Sequence, residues 1–391
     1  MTEQERILSA IRGDVPDRLP WVPRLEFWHR AALRNGTVPA GYAGLSTHEI
    51  ADHIGAGRYA VVPDFTACPD ETGMIDRGLG IFRIPTLTYD VTLEGVERRI
   101  ERRGRETVVE YRTPAGTLRT AFLFTDEMLD AGVSMPWATE VPIRGPADFE
   151  AAGYLFEHLT VTPRLDGYLA LRRQVGDRGL AVAWVLGTAC PIHHIMKELM
   201  TTEQFFYAMV DYPAEIQRLA ERMEPFYRAI RQTALESPAE AVLLGGNYDD
   251  SITSPPFFRK YILPALRSYA AELHAAGKFL VTHADGENRR LLPLYLEADF
   301  DVADSVCPYP MTRCRLEELR AALGHRITFW GGIPSVLLCR DSAGWDDFRR
   351  FVDDVVCRYG RASRLVLGVS DMVTADADLD RLHYIGDRVN G

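Results

Sequence analysis

The chain has 391 residues, a formal net charge of −11, 47% hydrophobic residues and 25% charged residues. These values are ordinary for a globular protein, and they exclude a disordered, collagenous or coiled-coil chain. The acidic balance argues against nucleic acid as a partner, because phosphate binding needs a basic surface. No run of about 18 apolar residues predicts a membrane-spanning helix. We therefore expect neither a nucleic-acid partner nor a membrane partner.

The N-terminal residues and the cysteines predict a cytoplasmic protein. The segment from Met1 to Arg6 lacks the basic and then apolar pattern of a secretory signal. The six cysteines form no Cys-x-x-Cys pair and are sparse for the length. We therefore expect reduced thiols rather than a disulfide scaffold.

The first part of the chain predicts two helices followed by a β-rich insertion. Apolar residues at helical spacing predict helices over Thr2–Arg12 and from about Ser46 to His53. Between about residues 73 and 125 the pattern changes, and turn residues separate the later runs. It predicts an inserted antiparallel hairpin or meander with strands at Ile84–Tyr89, Thr107–Tyr111 and Thr117–Thr120.

From about residue 145, short apolar runs alternate with segments of helical period. The apolar runs are Leu180–Leu186, Ala241–Gly245, Phe279–Thr282, Val302–Val306, Ile327–Trp330 and Leu365–Gly368. The helical segments are Glu203–Met209, Ala214–Thr233, Phe257–Ala275, Asn288–Glu297, Leu316–Leu323 and Trp345–Tyr359. Repeated strand and helix, with strands apolar throughout, indicates a parallel sheet covered on both faces.

These six strands, with Tyr59–Val62 and one or two earlier ones, approach the eight of a barrel. The sequence therefore predicts an α/β protein: a single (β/α)8 TIM-barrel domain over residues 1–391, with an N-terminal helical segment and the β-rich insertion. An open doubly wound sheet is the alternative. No Gly-x-Gly-x-x-Gly follows a predicted strand and no P-loop motif occurs, so we expect no nucleotide cofactor.

Polar residues concentrate directly after the predicted strands, which is where a barrel carries its catalytic groups. The candidates for catalysis are Tyr248, Asp249, Asp250 and Asp371, and those for substrate binding are Arg24, Trp28, Trp184, Asn247 and Trp330. The aspartates have an alternative interpretation, because aspartate is also favoured in turns.

A histidine and an aspartate two residues apart form the sharpest pair. His283 and Asp285 follow a predicted strand, and side chains at i and i+2 of a strand point the same way. They could share a metal ion or a proton, with Cys307 as a thiolate ligand. In the alternative interpretation His283 is a hydrogen-bonded rim histidine, Asp285 caps the next helix and Cys307 is buried and inert.

Several segments together resemble a known superfamily in sequence and in order along the chain. They are Ile11–Pro20, Ser254–Pro256 with Tyr261 and Pro264, His283–Gly286 with Leu291–Leu294, Gly331–Ser335, and Leu367–Asp371. The chain resembles the uroporphyrinogen decarboxylase superfamily, which also contains corrinoid-linked and coenzyme-M-linked methyltransferases. The resemblance implies a TIM barrel with its site in the barrel mouth.

Within this superfamily the resemblance favours the methyltransferase-like members. The Arg-Gln-Ala-Gly-Arg segment of true porphyrinogen decarboxylases is absent, and Arg24 occupies a comparable place. In the methyltransferase branch, zinc is bound by His-x-Cys and a distant cysteine. Here His283 matches the histidine, Asp285 replaces the first cysteine, and Ser370 or Asp371 stands in place of the second. Such a site, with Asp304 or Cys307 added, would be harder than His/Cys/Cys and would suit an oxygen-bearing substrate.

The resemblance therefore implies an enzyme that demethylates a small O- or N-methylated compound, such as a methoxyaromatic. The methyl group would pass to a cobamide on a separate corrinoid protein, because this chain lacks the Asp-x-His-x-x-Gly motif of cobalamin modules. Zinc is the implied metal, and a homodimer is the expected assembly. Two alternatives stay open: a cofactor-independent decarboxylase whose Arg24 holds a substrate carboxylate, and a non-catalytic ligand-binding barrel.

Overall fold

The computed structural model describes residues 1–67, 71–362 and 364–391. The α-helices of the described residues are, in chain order, α1 (Glu3–Arg12), α2 (Glu26–Asn35), α3 (Thr47–His53), α4 (Asp126–Asp130), α5 (Phe149–Glu157), α6 (Asp166–Val175), α7 (Pro191–His194), α8 (Thr202–Asp211), α9 (Pro213–Glu236), α10 (Pro255–Phe257), α11 (Leu263–Ala275), α12 (Leu292–Ala298), α13 (Leu316–Leu323), α14 (Trp345–Tyr359) and α15 (Leu379–Asn390). In this part of the chain, no helix is long and apolar enough to cross a membrane.

The strands of the described residues belong to one parallel and two antiparallel sheets. In chain order they are β1 (Tyr89–Leu93), β2 (Glu97–Arg103), β3 (Glu106–Thr113), β4 (Gly116–Leu123), β5 (Trp137–Glu140), β6 (Leu159–Pro163), β7 (Ala183–Leu186), β8 (Ala241–Gly246), β9 (Phe279–His283), β10 (Val302–Val306), β11 (Thr328–Pro334) and β12 (Leu365–Ser370).

A six-stranded parallel sheet is the centre of the α/β structure. Strands β7 to β12 lie side by side in chain order, and every neighbouring pair is parallel. The residues of β8, β10, β11 and β12 are all buried, as expected for strands covered on both faces. All six strands predicted after residue 145 are confirmed, although β11 continues to Pro334, beyond the predicted end at Trp330.

Two N-terminal segments pair with the edges of this sheet. The backbone of Trp21 forms a parallel bridge with Leu367 of β12, and Gly57 N donates to Trp21 O (2.7 Å). On the other side, Val182 N donates to Ala60 O (2.9 Å), just before β7 begins. The predicted strand Tyr59–Val62 is therefore represented by backbone bridging around residue 58 rather than by a full strand.

The β-rich insertion forms an antiparallel sheet with the order β2-β3-β4-β5. The predicted turn at residues 113–116 joins β3 to β4, which confirms the meander. The sheet extends to Glu140, past the predicted end of the insertion. The predicted strand at Ile84–Tyr89 is wrong before Tyr89, because Leu87 N donates to Ile84 O (3.1 Å) and closes a turn there.

Two predicted helices are shorter or less regular than their periodicity indicates. Helix α12 begins at Leu292 rather than at Asn288, whose side chain instead donates to the carbonyl oxygens of Ala284 and Gly286 (both 2.8 Å). The segment predicted as one helix from Phe257 to Ala275 contains a π-helical turn at Phe258–Ile262. A second π-helical turn, Ile195–Leu199, follows α7.

Candidate active site

Polar side chains from several strands meet at the carboxyl end of the parallel sheet. His283 ends β9, Asp304 lies in β10, and Asp371 directly follows β12. These residues come from three different strands, and parallel pairing brings the carboxyl ends of those strands to the same edge. Each of these strands is mainly apolar, and its polar residues lie inside it or at its carboxyl end.

A cavity of about 180 Å³ opens at this edge. Its polar lining residues are Arg24, Arg77, Ser134, Lys197, Glu198, Asn247, His283 and Asp371. Its apolar lining residues are Phe27, Val62, Phe65, Phe82, Met135, Trp184, Leu243 and Met372. Apolar walls with a few convergent polar groups are typical of a small-molecule site.

His283 lies between two carboxylates. Its Nδ1 is 2.6 Å from Asp304 Oδ2, and its Nε2 is 3.6 Å from Asp371 Oδ1. Burial opposes protonation of the imidazole, but the charge of Asp371 and the hydrogen bond to Asp304 outweigh it and raise the pKa of His283 above its usual value. The Asp304 contact also fixes the ring orientation. The arrangement can therefore hold a proton on Nε2 at the cavity surface.

Asp371 and Arg24 form the second half of this charged cluster. Asp371 Oδ1 accepts from Ser305 Oγ (2.8 Å) and lies 3.5 Å from Arg24 Nη1. Burial favours the neutral carboxyl, but the nearby charges of His283 and Arg24 hold the pKa of Asp371 below its usual value. Arg24 Nε also lies 3.9 Å from Glu26 Oε2. The Arg24 guanidinium therefore lines the cavity and also neutralises two carboxylates of the protein.

The cavity lining also carries a lysine and an ion pair. Arg77 Nη1 binds Glu198 Oε2 at 2.6 Å, and Lys197 Nζ donates to the carbonyl oxygens of Gly187 (3.4 Å) and Gly246 (3.5 Å). Lys197 and Glu198 belong to the π-helical turn Ile195–Leu199. Such turns inside helices are frequent at functional sites, because the extra residue redirects side chains.

Aromatic rings form an apolar wall of the cavity. The ring centroids of Phe65 and Phe82 are 5.0 Å apart, and each ring packs edge-on against Trp184 at 5.6–5.8 Å. Phe27 adds a further ring, with the Arg24 guanidinium 5.2 Å from its centroid. This wall suits a flat apolar or aromatic ligand.

The structure brings together some of the predicted site residues. Arg24, Trp184, Asn247, His283 and Asp371 all line the cavity. Asn247 has a φ of 56°, and its backbone N–H donates to His283 O (2.9 Å), which ties the end of β8 to the end of β9.

Tyr248, Asp249 and Asp250 are not among the described residues that line the cavity. Tyr248 is fully buried and its hydroxyl bonds Thr282 Oγ1 (2.9 Å). The Asp249 carboxylate accepts from Ser251 N (2.9 Å), as in the turn interpretation of the sequence. Asp250 accepts from the backbone N–H and the guanidinium of Arg290. These three contacts hold the loop after β8 rather than face the cavity.

We expect Tyr248→Phe to lower the free energy of unfolding by about 1 kcal/mol, because it removes one buried hydrogen bond. Ligand binding in the cavity should not change, since the ring faces Phe258 and Tyr295 instead. Urea unfolding and titration with a cavity ligand check the two halves of this prediction. A selective loss of ligand affinity in a stably folded variant would contradict the placement of Tyr248 outside the site.

Two of the predicted tryptophans also lie away from the cavity lining. Trp28 belongs to α2 and is 4% exposed, and it borders a different surface groove, near Thr37 and Tyr42. Its neighbour Phe27 lines the cavity instead, because adjacent residues on a helix face different sides. Trp330 is 2% exposed, and its Nε1 donates to Val22 O (3.3 Å).

The predicted metal ligands do not fit a zinc site. Both His283 nitrogens face carboxylates, since Nδ1 is bonded to Asp304 and Nε2 faces Asp371. Cys307 Sγ is directed at Asp285 Oδ1 (3.3 Å), and burial, together with this carboxylate, raises the pKa of the thiol. Within the described ranges, no group of three or more histidine, cysteine, aspartate or glutamate side chains is arranged to hold a metal ion.

Sequence reasoning gave little weight to several residues that the site uses. Asp304 is a single charged residue inside the apolar strand β10, a signal that could have marked it as the partner of His283. Lys197 is likewise a single basic residue within Ile195–Leu199, but the π-helical turn that directs it to the cavity has no sequence signal. Phe65 and Phe82 carry no motif at all.

Comparison with known proteins identifies the family. Residues 140–391, more than half of the chain, match the family model described as Uroporphyrinogen decarboxylase (URO-D). The chain belongs to the uroporphyrinogen decarboxylase family. The resemblance predicted from the sequence segments is thereby confirmed. The match includes β7 to β12, and so covers the carboxyl-end edge that carries His283, Asp304 and Asp371.

A solved structure of the same fold is a methyltransferase from Methanosarcina mazei. It has a TM-score of 0.54 and 12% sequence identity, over 100% of this chain and 98% of that one. At this identity the likeness concerns the fold alone. The comparison with curated proteins found no match to this chain.

Proposed function

We propose that this protein is a methyltransferase that demethylates a small methoxyaromatic compound and passes the methyl group to a corrinoid on a separate protein. The observation that carries the proposal is His283, held by Asp304 at 2.6 Å and facing Asp371 at the end of an aromatic-walled cavity. The methyltransferase of similar fold supports it.

The chemistry needs an acid at the position of His283. When the methyl group leaves to its acceptor, the bond between methyl carbon and ether oxygen breaks and the oxygen keeps the electron pair. A phenoxide is a poor leaving group, so a proton must reach that oxygen as the bond breaks. The imidazolium of His283 supplies this proton from Nε2, while Asp304 keeps the ring oriented and Asp371 stabilises the charged form.

The aromatic wall performs the binding part of the reaction. Phe65, Phe82 and Trp184 provide flat apolar surface against which a substrate ring packs. Holding the ring there places an ether oxygen beside His283 and excludes water from the reacting bond. Positioning of this kind lowers the barrier by avoiding the loss of entropy and the solvent reorganisation of a bimolecular encounter.

A direct assay tests the proposal. The purified protein is incubated with free cob(I)alamin and 4-methoxybenzoate, and methylcobalamin is followed by its absorbance while 4-hydroxybenzoate is measured by chromatography. We expect both products in equal amounts. Absence of both, with a panel of O-methyl and N-methyl aromatic compounds, would contradict the proposal.

Decarboxylation is the second candidate, because the family description is that of a decarboxylase. A proton donor at His283 could also protonate the carbanion left by loss of CO2. The Arg24 guanidinium is already 3.5 Å from Asp371 and 3.9 Å from Glu26, so it is poorly placed to hold a substrate carboxylate. Release of CO2 from a carboxylated probe without transfer of a methyl group would favour this candidate. Ligand binding without either reaction would favour a binding protein.

We expect Asp304→Asn to shift the pH dependence of methyl transfer. In the wild type, the rate falls as the pH rises through the raised pKa of His283, because the acid form is lost. Asp371, Asp304 and Asp285 all raise that pKa, so replacing the Asp304 charge should move this alkaline limb to lower pH. Profiles of kcat against pH measure the shift.

A second histidine–aspartate pair provides the control for this experiment. His274 Nε2 lies 2.8 Å from Asp301 Oδ2, and neither residue lines the cavity. Asp301→Asn should leave the alkaline limb where it is in the wild type. An unshifted limb in Asp304→Asn as well would show that His283 is not the acid.

We also propose that the parallel sheet closes into an eight-stranded barrel and that residues 1–391 form one domain. On one side, Leu367 N donates to Pro20 O and Val22 N donates to Leu367 O (both 2.8 Å). On the other side, Val182 N donates to Ala60 O, and these bonds support the closure. The bond from Gly57 N to Trp21 O links the two N-terminal segments to each other.

A further inference from the structure

Two groups of charged residues at the cavity differ in charge balance. Around His283, three carboxylates (Glu26, Asp304 and Asp371) face two cationic groups, Arg24 and His283. Around Lys197, Arg77 and Glu198 neutralise each other at 2.6 Å, and the charge of Asp285 also acts on the lysine. A bound anion would therefore be repelled more strongly by the first group than by the second.

The Lys197 ammonium group has capacity for a further partner. Its two hydrogen bonds, to the carbonyl oxygens of Gly187 and Gly246, are long at 3.4 and 3.5 Å, and both acceptors are neutral. An ammonium group has three donors, so at least one remains for a ligand. Among the described residues no carboxylate forms an ion pair with it, although the charge of Glu198 is close enough to act on its pKa.

Burial gives this lysine a further reason to bind an anion. Removal from water lowers the pKa of Lys197, because the charged form loses its hydration. A carboxylate bound in the cavity would replace that hydration with a charge-assisted hydrogen bond. Among the described residues, none therefore supplies an ion-pair partner for this cation, although it is largely removed from water.

We propose that Lys197 binds the carboxylate of the substrate, which is therefore a small aromatic acid rather than a neutral aromatic ether. This inference rests on the proposed function and adds the substrate class. The lysine lies beside the ends of β7 and β8, whereas His283 ends β9. Lys197 and His283 line the same cavity as the Phe65, Phe82 and Trp184 rings, so one ring-sized molecule can contact both groups. The carboxylate then sets the orientation of the ring, with the ether oxygen towards His283.

A pair of probes that differ only in charge tests this specificity. Binding of 4-methoxybenzoate and of its neutral analogue 4-methoxybenzamide is measured by calorimetry, without any methyl acceptor. For the wild type we expect the carboxylate to bind at least about tenfold more tightly than the amide, as a charge-assisted hydrogen bond implies. In Lys197→Met this preference should disappear, while the affinity for the amide stays within about twofold of the wild type. Lys197→Arg, which keeps the charge, should recover part of the preference.

Lys260 offers a matched control. It is the third residue of the other π-helical turn, as Lys197 is of the first, but it is exposed and lies over the ring of Tyr261. Lys260→Met should keep the full preference for the carboxylate. Equal losses for both probes in Lys197→Met would indicate a structural role for the lysine and would overturn the proposal. Failure of 4-methoxybenzoate to bind the wild type would overturn it as well.

The outcome is separable from that of the proposed function. Carboxylate selectivity that depends on Lys197, in a protein that demethylates none of the probes, would support this inference and contradict methyl transfer. Demethylation of acid and amide at equal efficiency, unchanged in Lys197→Met, would support methyl transfer and contradict this inference.

Discussion

Replacement of His283 by glutamine is expected to lower kcat of methyl transfer by about 10²–10⁴-fold, the range that a positioned general acid contributes. Glutamine retains much of the size of histidine and can still donate a hydrogen bond to Asp304 Oδ2, which lies 2.6 Å from Nδ1 in the wild type. It cannot release a proton to the leaving oxygen. The loss should therefore appear in kcat, while the affinity for 4-methoxybenzoate changes little.

The variant His274→Gln controls for the loss of a histidine paired with an aspartate. His274 is held by Asp301 at a similar distance, 2.8 Å, but lies near the end of α11, outside the cavity lining. The kcat of the His274→Gln variant should equal that of the wild type. Near-normal kcat in His283→Gln, at any pH, would remove the basis of the proposed mechanism.

The parallel sheet could be predicted because its strands are buried on both faces. Strands β8, β9 and β10 are short, mainly apolar runs with polar residues inside or directly after them, and the hydrophobic pattern alone marks them. The N-terminal pairing segments were harder to place. They contribute only isolated bridges, at Trp21 and Arg58, and such short contacts leave no periodic signal.

The candidate site could be predicted where a side chain follows a strand without a change in backbone direction. His283, the last residue of β9, meets this condition and reaches the cavity, and Asp371, directly after β12, reaches it as well. Tyr248 does not, because Gly245 and Asn247 have φ values of 81° and 56°. Left-handed backbone at these positions breaks the alternation of the strand, so Asn247 lines the cavity and the Tyr248 ring packs against Phe258.

The remaining site residues come from parts of the chain whose position no local pattern reveals. Phe65 and Phe82 precede the regular part of the sheet, and tertiary packing alone brings them against Trp184. Lys197 depends on a π-helical turn, in which one extra residue changes the direction of every side chain around it. The aromatic wall and the position of Lys197 at the cavity could therefore be identified only from the structure.

Replacement of Arg24 by methionine is expected to lower the free energy of unfolding by about 3–5 kcal/mol, towards the lower end of that range. Methionine fills much of the space of the arginine stem, but the buried carboxylates of Asp371 and Glu26 lose their shared cation. His283 still faces Asp371 at 3.6 Å, which limits the loss. The result would show that burial rather than distance decides the value of an ion pair, since both Arg24 contacts are 3.5 Å or longer.

An exposed pair with shorter distances provides the contrast for Arg24→Met. Arg103 binds both oxygens of Glu101, at 2.8 and 2.9 Å, and both side chains are about half exposed. Arg103→Met should leave urea unfolding unchanged, because water competes for both charges.

The pH dependence of the free energy of unfolding gives a second check on Arg24→Met. The lowered pKa of Asp371 contributes stability above its unfolded value, and this contribution is lost as the pH falls through the folded pKa. Since Arg24 is one cause of that lowering, the difference between wild type and Arg24→Met should be widest near neutral pH and should narrow on acidification. A difference that is independent of pH would indicate that lost packing, not lost charge, explains the destabilisation.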